Sequence, residues 1–104
     1  MYERLLVAVD GSSASLHAVR QAFRITRGPI TVLAVAPPYE GDLRLVGVKN
    51  LESLLTAPCD KALEEASRLA QEEQVRIKTL CEFGDPYVTI SEVAESERCQ
   101  LIVL

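Results

Sequence analysis

A single acidic side chain stands where an apolar segment near the start of the chain gives way to a turn. Asp10 follows the apolar run 5–9 and precedes Gly11 and two serines. A carboxylate at the end of a buried strand can accept hydrogen bonds from hydroxyl or amino groups of a bound ligand. It can equally accept backbone N–H groups of its own turn. The residue types leave both uses of Asp10 open.

The residues after Asp10 are also compatible with either a ligand-binding role or a purely structural one. Because Gly11 has no side chain, the chain can turn sharply after the strand and a ligand can approach the backbone closely. Alternatively, the glycine is needed for the turn alone. Ser12 and Ser13 could meet a phosphate at the start of a helix. We expect instead that one of them is a plain N-cap, because serine is among the residues preferred there.

The remaining reactive side chains show no catalytic arrangement. No acid or nucleophile lies at a spacing from His17 that would indicate a catalytic pair. Asp85 lies between a glycine and a proline, a position that is typical of a helix N-cap. No nucleophile-and-base pair and no cluster of metal ligands is apparent. The three cysteines form no C-x-x-C motif, so we expect unbridged thiols in a reducing compartment: Cys59, Cys81 and Cys99.

Hydrophobic periodicity predicts alternating strands and helices. Apolar runs indicate strands at 4–9, 30–36, 75–82 and 101–104, with an amphipathic helix between each pair. We expect a loop from Tyr39 to about Asn50, and a kink or a fresh helix start at Pro58. The stripe predicted to be buried in the third helix consists of Tyr87, Ile90, Val93 and Ala94.

The strand patterns also predict the order of the sheet. The third strand alternates apolar and charged residues, which is typical of an edge strand, whereas the first two are almost continuously apolar. Right-handed crossovers then give a parallel sheet of order 3-2-1-4 with helices on both faces. Asp10 would lie at the switch point, where such sheets bind ligands. The apolar run 101–104 would be an exposed, uncharged edge strand, which folded proteins usually avoid. We therefore expect a further helix and strand to follow it.

Composition narrows the class of protein. The chain has 104 residues, 48% of them hydrophobic, and a net charge of −4. This fits one domain spanning 1–104, and it argues against nucleic acid or a membrane surface as a partner. No apolar run is long enough for a signal peptide or a membrane span, so we expect a cytoplasmic protein.

Four segments in order resemble the universal stress protein family. They are the strand ending in Val7-Ala8-Val9-Asp10-Gly11-Ser12, the strand Val32-Leu33-Ala34-Val35, the turn Gly84-Asp85-Pro86 and the strand Leu101-Ile102-Val103-Leu104. The resemblance covers the whole chain. It implies an αβα sandwich of the Rossmann-like, adenine nucleotide alpha-hydrolase-like type, whose last strand would lie beyond residue 104.

The resemblance also implies a function. One branch of the family binds ATP, with the aspartate that ends strand 1 against the adenosine and a late residue of strand 2 contacting adenine through its main chain. Those positions are Asp10, with Ala8 and Val9 beside it, and Val35; Gly11 completes the predicted site. The glycine motif that holds the phosphates follows strand 4, so no residue here is assigned to them.

Three functions remain open at this point. The first is a regulatory domain in stress response that binds ATP or a related adenine nucleotide, with at most slow hydrolysis. The second is a homodimeric interaction module of the same fold that binds no nucleotide. The third is an enzyme on a related fold, which is disfavoured because the Ser-Gly-Gly-x-Asp-Ser phosphate loop of ATP pyrophosphatases is lacking.

Overall fold

A computed structural model describes residues 4–26, 28–36 and 48–103, and for residues 48–55 it describes the backbone alone. Strands and helices alternate along the chain. The strands are β1 (Leu5–Val9), β2 (Ile30–Ala36), β3 (Ile77–Phe83) and β4 (Leu101–Val103). The helices are α1 (Ser13–Ile25), α2 (Val48–Glu72) and α3 (Pro86–Ser96).

The four strands form one parallel sheet of order β3-β2-β1-β4, which confirms the predicted order. In β1, Leu5 pairs with Ile30 of β2 on one side and with Leu101 of β4 on the other. The first strand therefore lies inside the sheet. Within the described residues, β3 and β4 are its edges, and Ile102 of β4 is 39% exposed.

Helices cover both faces of the sheet, and each face has its own core. Helices α1 and α2 pack on one face through small residues such as Val19, Ala22 and Ala66. Helix α3 packs on the other face, where Ala94 meets Leu6 and Leu33. Successive side chains of a strand point to opposite faces, so β1 contributes to both cores and is almost wholly buried.

Two predictions about the second helix need correction. α2 is one continuous helix through Pro58, so of the two alternatives predicted at that proline the fresh start is wrong and the kink stays a prediction. A proline removes one backbone donor, and a long helix packed on a sheet can tolerate that loss. The predicted loop runs from Tyr39 to about Asn50, and its part up to residue 47 lies outside the described residues. At 48–50 the prediction is wrong, because α2 begins at Val48.

Candidate functional site

A crevice of about 450 Å³ opens at the carboxyl edge of the sheet, on the face that α3 covers. Its floor consists of Ala8 and Val9 at the end of β1 and of Leu33 and Val35 in β2. The N-terminal turns of α1 and α3 form its two sides. The volume lies in the range of sites that hold small molecules.

The predicted site residues meet at this crevice, with one exception. Ala8, Val9, Asp10 and Val35 all line it, although β1 and β2 are separated by a whole helix in the sequence. Gly11 does not line it. Its backbone has a φ of +84°, which suits a tight turn after β1, and a Cβ added to it would lie 3.8 Å from the Cβ of Ala62 in α2. The ligand-binding role of these residues stays a prediction.

Asp10 is exposed and ionised at the rim of the crevice. Its Oδ1 accepts a hydrogen bond of 2.9 Å from the backbone N–H of Ser12. The pKa of Asp10 is lowered, chiefly because the Ser12 hydroxyl and then the Ser12 backbone N–H stabilise the carboxylate, and Ser15 adds to this. The carboxylate is thus an acceptor oriented by its own turn and still open to solvent.

The start of α1 confirms the N-cap prediction for Ser12. Its hydroxyl accepts the backbone N–H of Ser15 at 3.1 Å. The buried Ser15 hydroxyl in turn donates to the Ser12 carbonyl at 3.0 Å and accepts the N–H of Asp10 at 3.3 Å. Sequence analysis missed Ser15, whose signal was only its position three residues after a cap.

Helix α3 begins as predicted, but one of its side chains does not lie where the periodicity placed it. Asp85 is the N-cap, with Pro86 in the first turn. Ile90, Val93 and Ala94 pack against the sheet, whereas Tyr87 is 77% exposed. The prediction that Tyr87 is buried is wrong, because the first turn of α3 lies at the carboxyl edge and its ring borders the crevice instead.

A second cavity, of about 330 Å³, lies at the opposite edge of the sheet. Three of the charged residues that line it contact one another across the cavity. The Nζ of Lys78 lies 2.6 Å from Oε1 of Glu97, and Arg4 donates to the Glu97 carbonyl at 3.1 Å. These contacts tie the end of α3 to the sheet, so the cavity at the carboxyl edge is the better candidate site.

Other reactive groups do not gather into a site in the part of the chain that the structure describes. No group of three or more potential metal ligands occurs there. Cys59, Cys81 and Cys99 are free thiols. Burial, with the neighbouring Cys59 thiol, raises the pKa of Cys81 to about 12, and burial raises the pKa of Cys99. His17 is exposed on α1.

Comparison with known proteins supports the family resemblance. The family model described as "Universal stress protein family" matches residues 1–104. A universal stress protein of Methanocaldococcus jannaschii is 31% identical over 114 residues. That match covers 100% of this chain and 64% of the relative, so the chain spans less than two thirds of its length.

Solved structures show the same architecture. The universal stress protein UspA from Lactobacillus plantarum is 28% identical, with a TM-score of 0.79 over 99% of this chain and 76% of that one. A universal stress protein in complex with cAMP is 25% identical, with a TM-score of 0.76 over 99% of this chain and 75% of that one. None of the helices in the described part of the chain combines the length and apolar character that crossing a membrane requires.

Proposed function

The chain belongs to the universal stress protein family, and on that premise we propose that it is a regulatory domain that binds an adenine nucleotide. ATP is the ligand that the family's nucleotide-binding branch implies. The site is the crevice at the carboxyl edge of the sheet. One observation carries the proposal: Ala8, Val9, Asp10 and Val35 come together around one cavity at the carboxyl ends of β1 and β2, and β1 borders the switch point of the sheet.

The chemistry of the crevice suits the two parts of a nucleoside. The side chains of Ala8, Leu33, Val35 and Ile90 form apolar walls that favour a flat base. Asp10 at the rim accepts hydrogen bonds from ribose hydroxyls, and its lowered pKa keeps it ionised for that role. The cAMP complex of a relative that is 25% identical supports an adenine nucleotide as the ligand class.

The test is calorimetric titration of ATP and cAMP into the wild-type protein and Asp10→Ala. We expect saturable binding by the wild type and an affinity about 10- to 150-fold weaker in Asp10→Ala, since hydrogen bonds to a charged acceptor contribute about 1.5–3 kcal/mol. Glu92→Ala is the matched control, because Glu92 is an exposed carboxylate of α3 outside the crevice. Absence of binding by the wild type would refute the proposal.

One observation favours the alternative, a homodimeric interaction module without a nucleotide. The Asp10 carboxylate already accepts the Ser12 backbone N–H, which is the contact expected of a residue that only serves its turn. Analytical ultracentrifugation distinguishes the two functions. The alternative requires dimers whose dissociation constant is the same with and without ATP, together with no heat of ATP binding.

A further inference from the structure

The backbone of Tyr87 is held rigidly at the mouth of the crevice. Oδ1 of Asp85 accepts the N–H of Tyr87 at 3.0 Å and that of Val88 at 3.1 Å. The N–H of Gly84, just before this cap, donates to the carbonyl of Ala36 at 3.0 Å. The first turn of α3 is therefore anchored to the end of β2, beside the crevice floor.

The ring of Tyr87 is exposed despite this fixed backbone. At 77% exposure it is the most exposed of the large hydrophobic side chains in the described residues. It is also the one aromatic group among the described residues that line the crevice. A preorganised aromatic ring bordering an apolar cavity, with a carboxylate across the rim, is a surface on which a planar base can stack.

We propose that Tyr87 is a ligand-contacting residue that stacks on the purine base of the bound nucleotide while Asp10 accepts the ribose hydroxyls. This rests on the proposed function and deepens it, because it assigns base recognition to α3 as well as to β1 and β2. The stack would cover the exposed ring and close the open side of the crevice. Purine nucleotides would then bind more tightly than pyrimidine nucleotides, since their larger rings stack over more of the tyrosine.

The experiment compares ATP and CTP binding by the wild type, Tyr87→Ala and Tyr87→Phe in calorimetric titrations of the full-length protein. Base stacking on an aromatic ring corresponds to a loss of about 5- to 150-fold in ATP affinity for Tyr87→Ala. Tyr87→Phe keeps the ring, so its ATP affinity should stay within about two-fold of the wild type. The ratio of ATP to CTP affinity should fall in Tyr87→Ala and persist in Tyr87→Phe.

Val88→Ala is the control for loss of an exposed apolar side chain on the same turn. Val88 is 55% exposed and does not line the crevice, so its removal should leave ATP affinity unchanged. Wild-type ATP affinity in Tyr87→Ala would overturn the stacking role and leave the proposed function standing. A wild-type protein that binds no ATP would overturn both.

Discussion

At the scale of single residues, the local contacts of Asp10 decide what it can do. Its turn supplies the hydrogen bonds of Ser12 and Ser15 that favour the charged form. The sequence was sufficient to single out Asp10, because an acid directly after an apolar run is easily recognised. It was not sufficient for Tyr87, because helical periodicity cannot show how far the sheet extends beneath the first turn of α3.

The lowered pKa of Asp10 predicts a flat pH profile for nucleotide affinity. A carboxylate whose folded-state pKa is lowered stays an acceptor above the usual aspartate range, and that role is lost only as the pH falls through the lowered value. Titrations with cAMP, whose phosphate diester does not change charge near neutrality, should give one affinity from about pH 8 to about pH 5. A loss of affinity with a midpoint near pH 6–7 would show that another group controls binding.

At the scale of elements, the turn between β3 and α3 depends on a glycine. Gly84 has a φ of +143°, and a Cβ added there would lie 2.8 Å from the hydroxyl oxygen of the buried Thr89. By contrast, a Cβ at Gly11 would meet nothing closer than Ala62 at 3.8 Å. Both backbones disfavour other residues, but only Gly84 adds a steric conflict.

We therefore expect Gly84→Ala to be more destabilising than Gly11→Ala. Backbone strain alone costs about 1–2 kcal/mol at a left-handed position, and displacement of Thr89 adds to it, so we expect about 2–4 kcal/mol for Gly84→Ala. Urea denaturation measures both values as changes in the free energy of unfolding. Equal costs for the two variants would show that Thr89 moves aside freely.

The elements also show how far sequence patterns reach. The bounds of β2 match the predicted strand at both ends, because Gly28-Pro29 precedes it and Pro37-Pro38 follows it, and such residues interrupt regular structure. The edge position of β3 followed from its alternation of apolar and charged residues. The continuity of α2 through Pro58 did not follow, since packing of Ala62, Ala66 and Leu69 on the sheet outweighs one missing donor.

At the scale of the whole molecule, topology creates the crevice. The chain runs from β1 to β2 to β3 in one direction and places α1 and α2 on one face. It then returns past β1 to β4, so α3 lies on the opposite face. This reversal leaves the ends of β1 and β2 uncovered between the first turns of α1 and α3, where Asp10 and Tyr87 stand. The extent of the domain and its homodimeric state stay predictions.

The central claim is that the nucleotide binds in the crevice at the carboxyl edge of the sheet. The most direct test is to titrate ATP into ¹⁵N-labelled protein and to follow the backbone amide chemical shifts by NMR. We expect saturable shifts concentrated at Ala8, Val9, Asp10 and Val35, all of which line the crevice. Lys78 and Glu97, which line the cavity at the opposite edge, should not shift. Shifts centred on that opposite edge, or no saturable shifts at any ATP concentration, would contradict the claim.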